Sequence, residues 1–360
     1  MRVLIVCDFL FKYGSQQARA LSRLGHDVAM LVRPHALEFG GSVAERDGFL
    51  RTLRQDRVHL FEVPGRFRSI SAVPAIVELR RELRRWDPQV VHVHDNFDPR
   101  LLALTTGYRT VFTMHDPVPH PGESHPRAEE WIWDRWFRRA ERFVVHGPLL
   151  ADELAPRVDR ARIVVIPHGV WPRSEPLPRP ESPSILLFGR LEPYKGVEVL
   201  LDAMPLVWEQ RPEVRLVVAG AGPAARLVPE DPRISLIARY ISESEVDRVL
   251  AAASLAVLPY TQASQSGVGV LAIAAGVPVV VSDLGALPEL THDPSCVFEA
   301  GNPRALSEAI VRHLDHGPEV RDAVLRHARS HFSWEHAARL TSNLYRELTT
   351  ENGSQGRDPR

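Results

Sequence analysis

Ile185-Leu186-Leu187-Phe188-Gly189-Arg190-Leu191-Glu192-Pro193-Tyr194-Lys195-Gly196 is the stretch on which the reading of this chain turns. Four apolar residues, 185–188, suit a short buried strand and are too few for a helix. Gly189 lets the chain turn, and Gly196 opens the helical pattern of 197–210. Strand, glycine turn and helix make the repeating unit of a parallel sheet covered by helices. The turn also places two cations, Arg190 and Lys195, at the strand's exit. Beside the amide groups of a helix start, such a pair suits a diphosphate, whose charge it neutralises. The plainer alternative is a solvated Arg and Lys in a loop; the strand before, the helix after and the flanking glycines favour the anion site.

The same alternation extends in both directions. Downstream, strands are expected at 214–219, 256–259 and 277–282, with helices at 243–253 and 268–275. Upstream, strands are expected at 3–7, 26–32, 90–94, 109–114 and 142–146. Helices fall at 15–24, closed by Gly25, at 77–86, stopped by Asp87-Pro88, and at 128–140. Between the two series lie Pro167, Pro172, Pro176, Pro178, Pro180 and Pro183, a density that supports neither helix nor central strand and reads as an interdomain linker. Two α/β halves with a cleft between them follow, ligands binding beyond the carboxyl ends of the strands. A final amphipathic helix carries Trp334, Ala337, Leu340, Leu344 and Tyr345, and the polar tail 349–360 reads as disordered.

The chain has 360 residues, 44% apolar and 25% charged, which fits two globular domains. A formal net charge of -1 gives no field that would gather nucleic acid. The two cysteines, Cys7 and Cys296, form no disulfide framework, so a reducing, cytoplasmic compartment is expected. Neither a signal sequence nor an apolar run of about 18 residues is visible. Two stretches offer peripheral contact with the inner face of a membrane or with a lipid-linked acceptor: Arg80-Arg81-Glu82-Leu83-Arg84-Arg85 and Trp131-Ile132-Trp133-Asp134-Arg135-Trp136-Phe137-Arg138-Arg139. Solvated charge plus core aromatics is the competing reading.

Other candidates cluster at expected strand exits. Gln265-Ser266-Gly267-Val268-Gly269 leads into an Ala-rich helix and presents backbone N–H groups at a positive helix end. Gly220-Ala221-Gly222 is a similar turn, and Tyr13-Gly14-Ser15 starts the first helix. His115 ends a strand, where it can bind a hydroxyl or steer a reacting group. His92, His94, His115, His120 and His125 crowd a short span, but no cysteine completes a zinc set, so no metal is expected there. A dinucleotide oxidoreductase is disfavoured, because no full Gly-x-Gly-x-x-Gly follows residues 3–7.

Taken in order, these motifs resemble glycosyltransferase family 4, the retaining nucleotide-sugar transferases of GT-B fold. The resemblance runs through Gly14, Arg23-Leu24-Gly25-His26-Asp27-Val28, Val91-His92-Val93-His94, Thr113-Met114-His115-Asp116 and Ile166-Pro167-His168-Gly169. It continues through Gly189-Arg190, Lys195-Gly196, Pro259-Tyr260, Gln265-Ser266-Gly267-Val268, Gly276-Val277-Pro278 and Ser282-Asp283-Leu284-Gly285 to Phe332-Ser333-Trp334. It implies an acceptor-binding Rossmann-like domain over 1–170, a linker at 171–183 and a nucleotide-sugar-binding Rossmann-like domain over 184–331. Parallel sheets would face a central cleft, with a helix at 332–348 crossing back. It further implies that Arg190 and Lys195 hold the donor diphosphate beside Gly189, Gly220 and the amides of Ser266, Gly267 and Val268. His115 would stand near the transferred sugar, and Arg239, Tyr240 and Ile241 near the base. Neither a resident cofactor nor a metal is implied; the acceptor is a small molecule, a glycan or a lipid-linked sugar. One departure stands out: the two acidic positions common in the family are Ala263 and Leu271 here. A sugar-nucleotide epimerase and a non-catalytic sugar-nucleotide-binding protein are the alternatives.

Overall fold

Val3, Leu4, Ile5 and Val6 are wholly buried, as a central strand covered on both faces must be. The structure, a computed structural model, describes residues 1–7, 10–33, 37–39, 42–64, 72–94, 98–117 and 127–350. Backbone contacts divide the chain into two units: Met1–Ile166 with Trp334–Arg360, and Pro167–Ser333.

In unit 1 the elements run β1 (Arg2–Cys7), α1 (Phe11–Arg23), β2 (Asp27–Val32), α2 (Val43–Gln55), β3 (Val58–Glu62), α3 (Val73–Trp86) and β4 (Val90–His94). They continue with α4 (Pro99–Leu104), β5 (Thr110–Thr113), α5 (Arg127–Arg139), β6 (Arg142–Val145), α6 (Pro148–Leu154) and β7 (Ile163–Val165). The sheet order is β3-β2-β1-β4-β5-β6-β7, parallel throughout. The order reverses between β1 and β4, the topological switch point. α2 and β3 have no counterpart in the sequence reading. β3 is an edge strand whose residues past Val58 are only partly buried, so its sequence, VHLFE, lacks a clean apolar run.

α1 begins four residues before the expected start, so Gly14 lies inside the helix rather than at its entrance. A Cβ at Gly14 would come within 2.2 Å of Cys7 Sγ, and its absence lets α1 press on the sheet. The aromatic stretch on α5 also divides: Trp133 and Trp136 are buried in the core, and Trp131 is exposed. On α3, Arg81 and Arg85 pair with Glu78. The aromatic part of the expected membrane-facing surface therefore reduces to Trp131, with Arg135 over its ring.

Unit 2 runs β8 (Ser184–Phe188), α7 (Val197–Gln210), β9 (Arg215–Ala219), β10 (Ile234–Ile237), α8 (Glu243–Ala251) and β11 (Leu255–Leu258). It continues with α9 (Gly267–Ala274), β12 (Val279–Ser282), β13 (Val297–Phe298), α10 (Pro303–Leu314) and α11 (Pro318–His327). The order β10-β9-β8-β11-β12-β13 repeats the pattern of unit 1, its switch point between β8 and β11. Alternate residues of β8 serve opposite faces, Ile185 and Leu187 in one core cluster and Leu186 in the other. Each such side chain contributes about 1.5–3 kcal/mol by leaving water.

The proline-rich segment is bound to unit 2 over much of its length. Val170 N donates to Phe332 O, Arg173 N to Ala274 O and Leu177 N to Ala275 O, at 2.7–2.9 Å. Arg321, buried, donates to Leu177 O at 2.8 Å. Proline blocks helix but leaves an extended strand with usable carbonyls and intervening N–H groups, and α9 and α11 satisfy them.

The last helix, α12 (Trp334–Thr350), belongs to unit 1 although it follows unit 2 in sequence. Trp334, Ala337, Thr341, Leu344, Tyr345 and Leu348 form its buried face. Ser342 Oγ meets His26 Nε2 at 2.8 Å. The expected tail begins inside this helix at Thr349; residues 351–360 lie outside the described residues.

Candidate functional site

Four glycines bring the strand exits of unit 2 together. A Cβ on Gly220 would lie 1.7 Å from Gly189 O, so the β8 and β9 exits touch backbone to backbone. A Cβ on Gly196 would lie 1.7 Å from Pro259 O, which sets the start of α7 against the β11 exit. At Gly189 the same construction meets Val268 Cγ2 at 2.9 Å, which sets the β8 turn on the first turn of α9. Their φ values of +148°, +69° and +121° also favour glycine. Gly222 repeats the device against Leu191 O. Gly189, Arg190, Lys195, Gly220 and Ser266–Val268 therefore share one end of one sheet, at its switch point.

Within that cluster the two cations differ. Arg190 is exposed, whereas Lys195 is 8% exposed. Lys195 Nζ lies 3.8 Å from the centroid of the Tyr260 ring and 5.1 Å from that of Tyr194. An ammonium over an aromatic face is held by the ring quadrupole without being neutralised. Burial pushes the Tyr260 phenol up, so it stays neutral; its hydroxyl meets Ser266 Oγ at 2.9 Å. Ser266 caps α9 by accepting from Gly269 N at 3.1 Å. The site thus sets a lysine beside a helix start capped by a neutral hydroxyl, an arrangement that suits an anion. Gln265 Oε1 is buried with no hydrogen-bond partner among the described residues, an acceptor that a ligand hydroxyl would satisfy. Ala263 is half-buried and Leu271 exposed at the two positions where the family's acids are common.

Arg239, Tyr240 and Ile241 follow β10 and part company. Ile241 is buried in the core, Arg239 makes a two-pronged pair with Glu245 at 2.6 and 2.9 Å, and Tyr240 is 64% exposed. Tyr240 and the paired Arg239 face solvent, and of the two only the Tyr240 ring has an aromatic face.

In unit 1 the sheet end carries a different chemistry. His94 ends β4, His115 follows β5 and His146 follows β6, and all three are buried. They form a chain: Ile166 O to His146 Nδ1 at 2.9 Å, His146 Nε2 to His115 Nδ1 at 3.1 Å, His115 Nε2 to His94 Nδ1 at 3.2 Å, and His94 Nε2 to Gln17 at 2.7 Å. Tyr13 lies edge-on to all three rings at 5.0–5.7 Å. His92 stacks on His94 at 4.9 Å and meets Tyr345 OH and Thr113 Oγ1.

Counting protons assigns the tautomers. Ile166 O only accepts, and each ring–ring bond needs one proton. If Gln17 presents its oxygen, the three rings must supply four protons and carry one positive charge. If it presents its NH₂ group, three neutral rings suffice. Burial lowers His146 to about 4 and His94 well below its ordinary value, which favours the count with three neutral rings. Gln17 Oε1 lies 2.7 Å from His94 Nε2, so the neutral count requires the amide turned to present its NH₂ group; every proton in the chain then points toward Ile166. The oxygen and nitrogen of an amide are assigned from such networks rather than seen. Both ring nitrogens of His115 are thereby engaged by other histidines. His146 and Gln17 were not singled out in the sequence, although His146 ends a strand as His115 does. His120 and His125 lie outside the described residues.

The amides at the start of α1 are already occupied. Glu38 accepts from Phe11 N at 2.6 Å and from Lys12 N at 3.0 Å. Gly14, the candidate ligand-binding residue here, faces Cys7 instead.

Comparison with known proteins agrees with this division. A sequence profile described as Glycosyltransferase Family 4 matches residues 13–173, and one described as Glycosyl transferases group 1 matches residues 182–316. A phosphatidyl-myo-inositol mannosyltransferase of Propionibacterium freudenreichii is 29% identical over 364 residues, covering 93% of this chain and 92% of the relative. A GDP-mannose:glycolipid 4-beta-D-mannosyltransferase of Xanthomonas campestris is 42% identical over 189 residues, 49% of this chain and 50% of its own length. Among solved structures, Anabaena HepE in complex with UDP-glucose aligns with a TM-score of 0.68 at 14% identity, covering 97% of this chain and all of that one. With both α/β units matched in order and the fold shared, the chain belongs to glycosyltransferase family 4, the group 1 glycosyl transferases of GT-B type.

Proposed function

We propose that this glycosyltransferase takes its sugar from a nucleotide-diphosphate donor held by unit 2 and transfers it with retention of anomeric configuration. The observation that carries the reading is Lys195, a nearly buried cation held over Tyr260 beside the first turn of α9. As the bond from the anomeric carbon to the phosphate oxygen breaks, negative charge grows on the departing nucleoside diphosphate. Lys195, Arg190 and the amides of Gly267 and Val268 are pre-oriented to meet that charge, so stabilisation costs little reorganisation. The acceptor oxygen bonds to the anomeric carbon, and its proton leaves to the diphosphate or to solvent. Retention places the attack on the face the leaving group quits, as the family resemblance implies. No metal enters this scheme: the two cations and the helix start do the neutralising. The names of the Xanthomonas and Propionibacterium relatives support a nucleotide-linked mannose and a lipid-borne acceptor as the first substrates to try.

The test is a thermal-shift screen with UDP, GDP, ADP, TDP and their common sugar conjugates, followed by transfer assays with the donor found. One base should raise the melting temperature with concentration, and Lys195→Ala should lower turnover by about a hundredfold while the fold survives. Unchanged turnover in Lys195→Ala would remove this residue from the mechanism.

A further inference from the structure

Away from the donor loops, one group of side chains in unit 2 has the composition of a metal site. Asp293 precedes the short turn Pro294–Cys296, and Cys296, buried, ends it. His313 comes from the last turn of α10. One ligand atom from each, a carboxylate oxygen, a sulfur and a ring nitrogen, lies within 4.8 Å of the other two. Around a tetrahedral zinc ion with bonds of about 2.0–2.3 Å, such atoms sit roughly 3.3–3.8 Å apart. The three need close by only about an ångström.

Ser295 ties this group together. Its Oγ lies 2.6 Å from Asp293 Oδ1 and 2.9 Å from His313 Nε2. A carboxylate only accepts, so the hydroxyl donates to Asp293 and accepts from His313 Nε2–H. With Nε2 bearing that hydrogen, a metal bond would have to come from Nδ1. Outer partners of this kind commonly orient histidine and carboxylate ligands around zinc. A cavity of about 490 Å³, lined by these residues with Thr291, His292 and Arg312, adjoins the group and has room for a water ligand. Nearby Arg312 opposes a cation, and the two negative ligands offset it.

We propose that Asp293, Cys296 and His313 bind one zinc ion, with the fourth coordination position open to the adjoining cavity. Thiolate, imidazole and carboxylate together select zinc or cobalt(II) over magnesium or calcium, which prefer oxygen alone. Binding exchanges the S–H bond of Cys296 for an S–Zn bond and releases the proton to solvent. Because Cys296 adjoins β13 and His313 lies on α10, the ion would clip the edge of the sheet to the helix that covers it.

The experiment uses the full chain, stripped with chelator and reloaded. Elemental analysis after dialysis should find one zinc per chain. Cobalt(II) should produce a thiolate-to-cobalt charge-transfer band in the near ultraviolet. That band should vanish in Cys296→Ser and persist in Cys7→Ser, which removes the other thiol. Ser295→Ala should weaken zinc binding by about ten- to a hundredfold. Should Cys296→Ser fail to fold, His313→Gln, at a partly exposed position, must lose the retained zinc. No cobalt–thiolate band in the wild type, or equal zinc retention in His313→Gln, would overturn the site.

Discussion

Replacing Gln17 by Glu tests the proton count of the histidine array through one group. In the wild type, with the amide turned so that its NH₂ faces His94, three neutral rings complete the chain to Ile166 O. A carboxylate can only accept, so the same four bonds then require an added proton on the rings. The resulting pair starts from the 2.7 Å separation of His94 Nε2 and the Gln17 side chain. With charge centres about 4 Å apart and an effective dielectric of about 20, the attraction is about 4 kcal/mol. That corresponds to about 3 pKa units. Burial holds His94 well below its ordinary value, so the array of the variant should take up its proton at a higher pH than the wild type does. Desolvation of the new carboxylate takes part of that gain back, because position 17 is 5% exposed. Asp116, whose charge acts on His146, and neighbouring His92, Tyr13 and Tyr345 are the same in both proteins. The assay is ¹⁵N-histidine NMR across pH 5.5–8. Wild-type His94 and His146 should show one fixed tautomer each and no titration in that window, and the variant should titrate at a higher pH than the wild type. Titration of these rings in the wild type, or none in the variant, refutes the count.

Two further substitutions probe the other unit. Gly220→Ala should cost at least about 2 kcal/mol, since φ is +148° and the new methyl would lie 1.7 Å from a backbone carbonyl that cannot swing aside. Urea denaturation measures it, and a midpoint equal to wild type would show that the β8 and β9 exits are not locked together. Glu289 is raised by burial from 4.5 to about 7, so the fold favours its protonated form. The stability this supplies is complete below about pH 4.5 and is lost as pH rises through 7, so Glu289→Gln should be more stable at pH 8, by at most about 3 kcal/mol, and equal at pH 4. A difference independent of pH would assign the effect to packing instead.

The parts of the fold legible in the sequence are those where burial on both faces leaves no ambiguity. β1, β8 and β11 are short, wholly apolar runs between turn residues, and their positions follow from composition. β3 and β10 escaped because edge strands carry mixed polarity. The proline-rich segment shows the reverse error. Composition correctly excluded helix, but whether an extended chain is free or bound depends on partners more than a hundred residues away, such as Phe332 and Arg321. The same holds for the histidines. Their crowding was visible, but His94, His115 and His146 converge only because β4, β5 and β6 are adjacent in the sheet. The proton direction is set by Gln17 on a different element.

The two units also show why a helix start after a strand is weak evidence for an anion site until its neighbours are known. Both sheets have the same strand order, and both place a helix start at the sheet's end. At α1 the protein supplies its own anion, since Glu38 accepts from the first two amides of the helix. A phosphate there would have to displace a carboxylate and then sit beside it, at a cost of like-charge repulsion of several kcal/mol at low dielectric. At α9 the cap is Ser266, a neutral hydroxyl, and the nearest described cation, Lys195, is held by aromatic rings. The dipole of α9 therefore meets a neutral hydroxyl at its cap, with the Lys195 ammonium on a neighbouring turn. This asymmetry supports placing the donor diphosphate on unit 2.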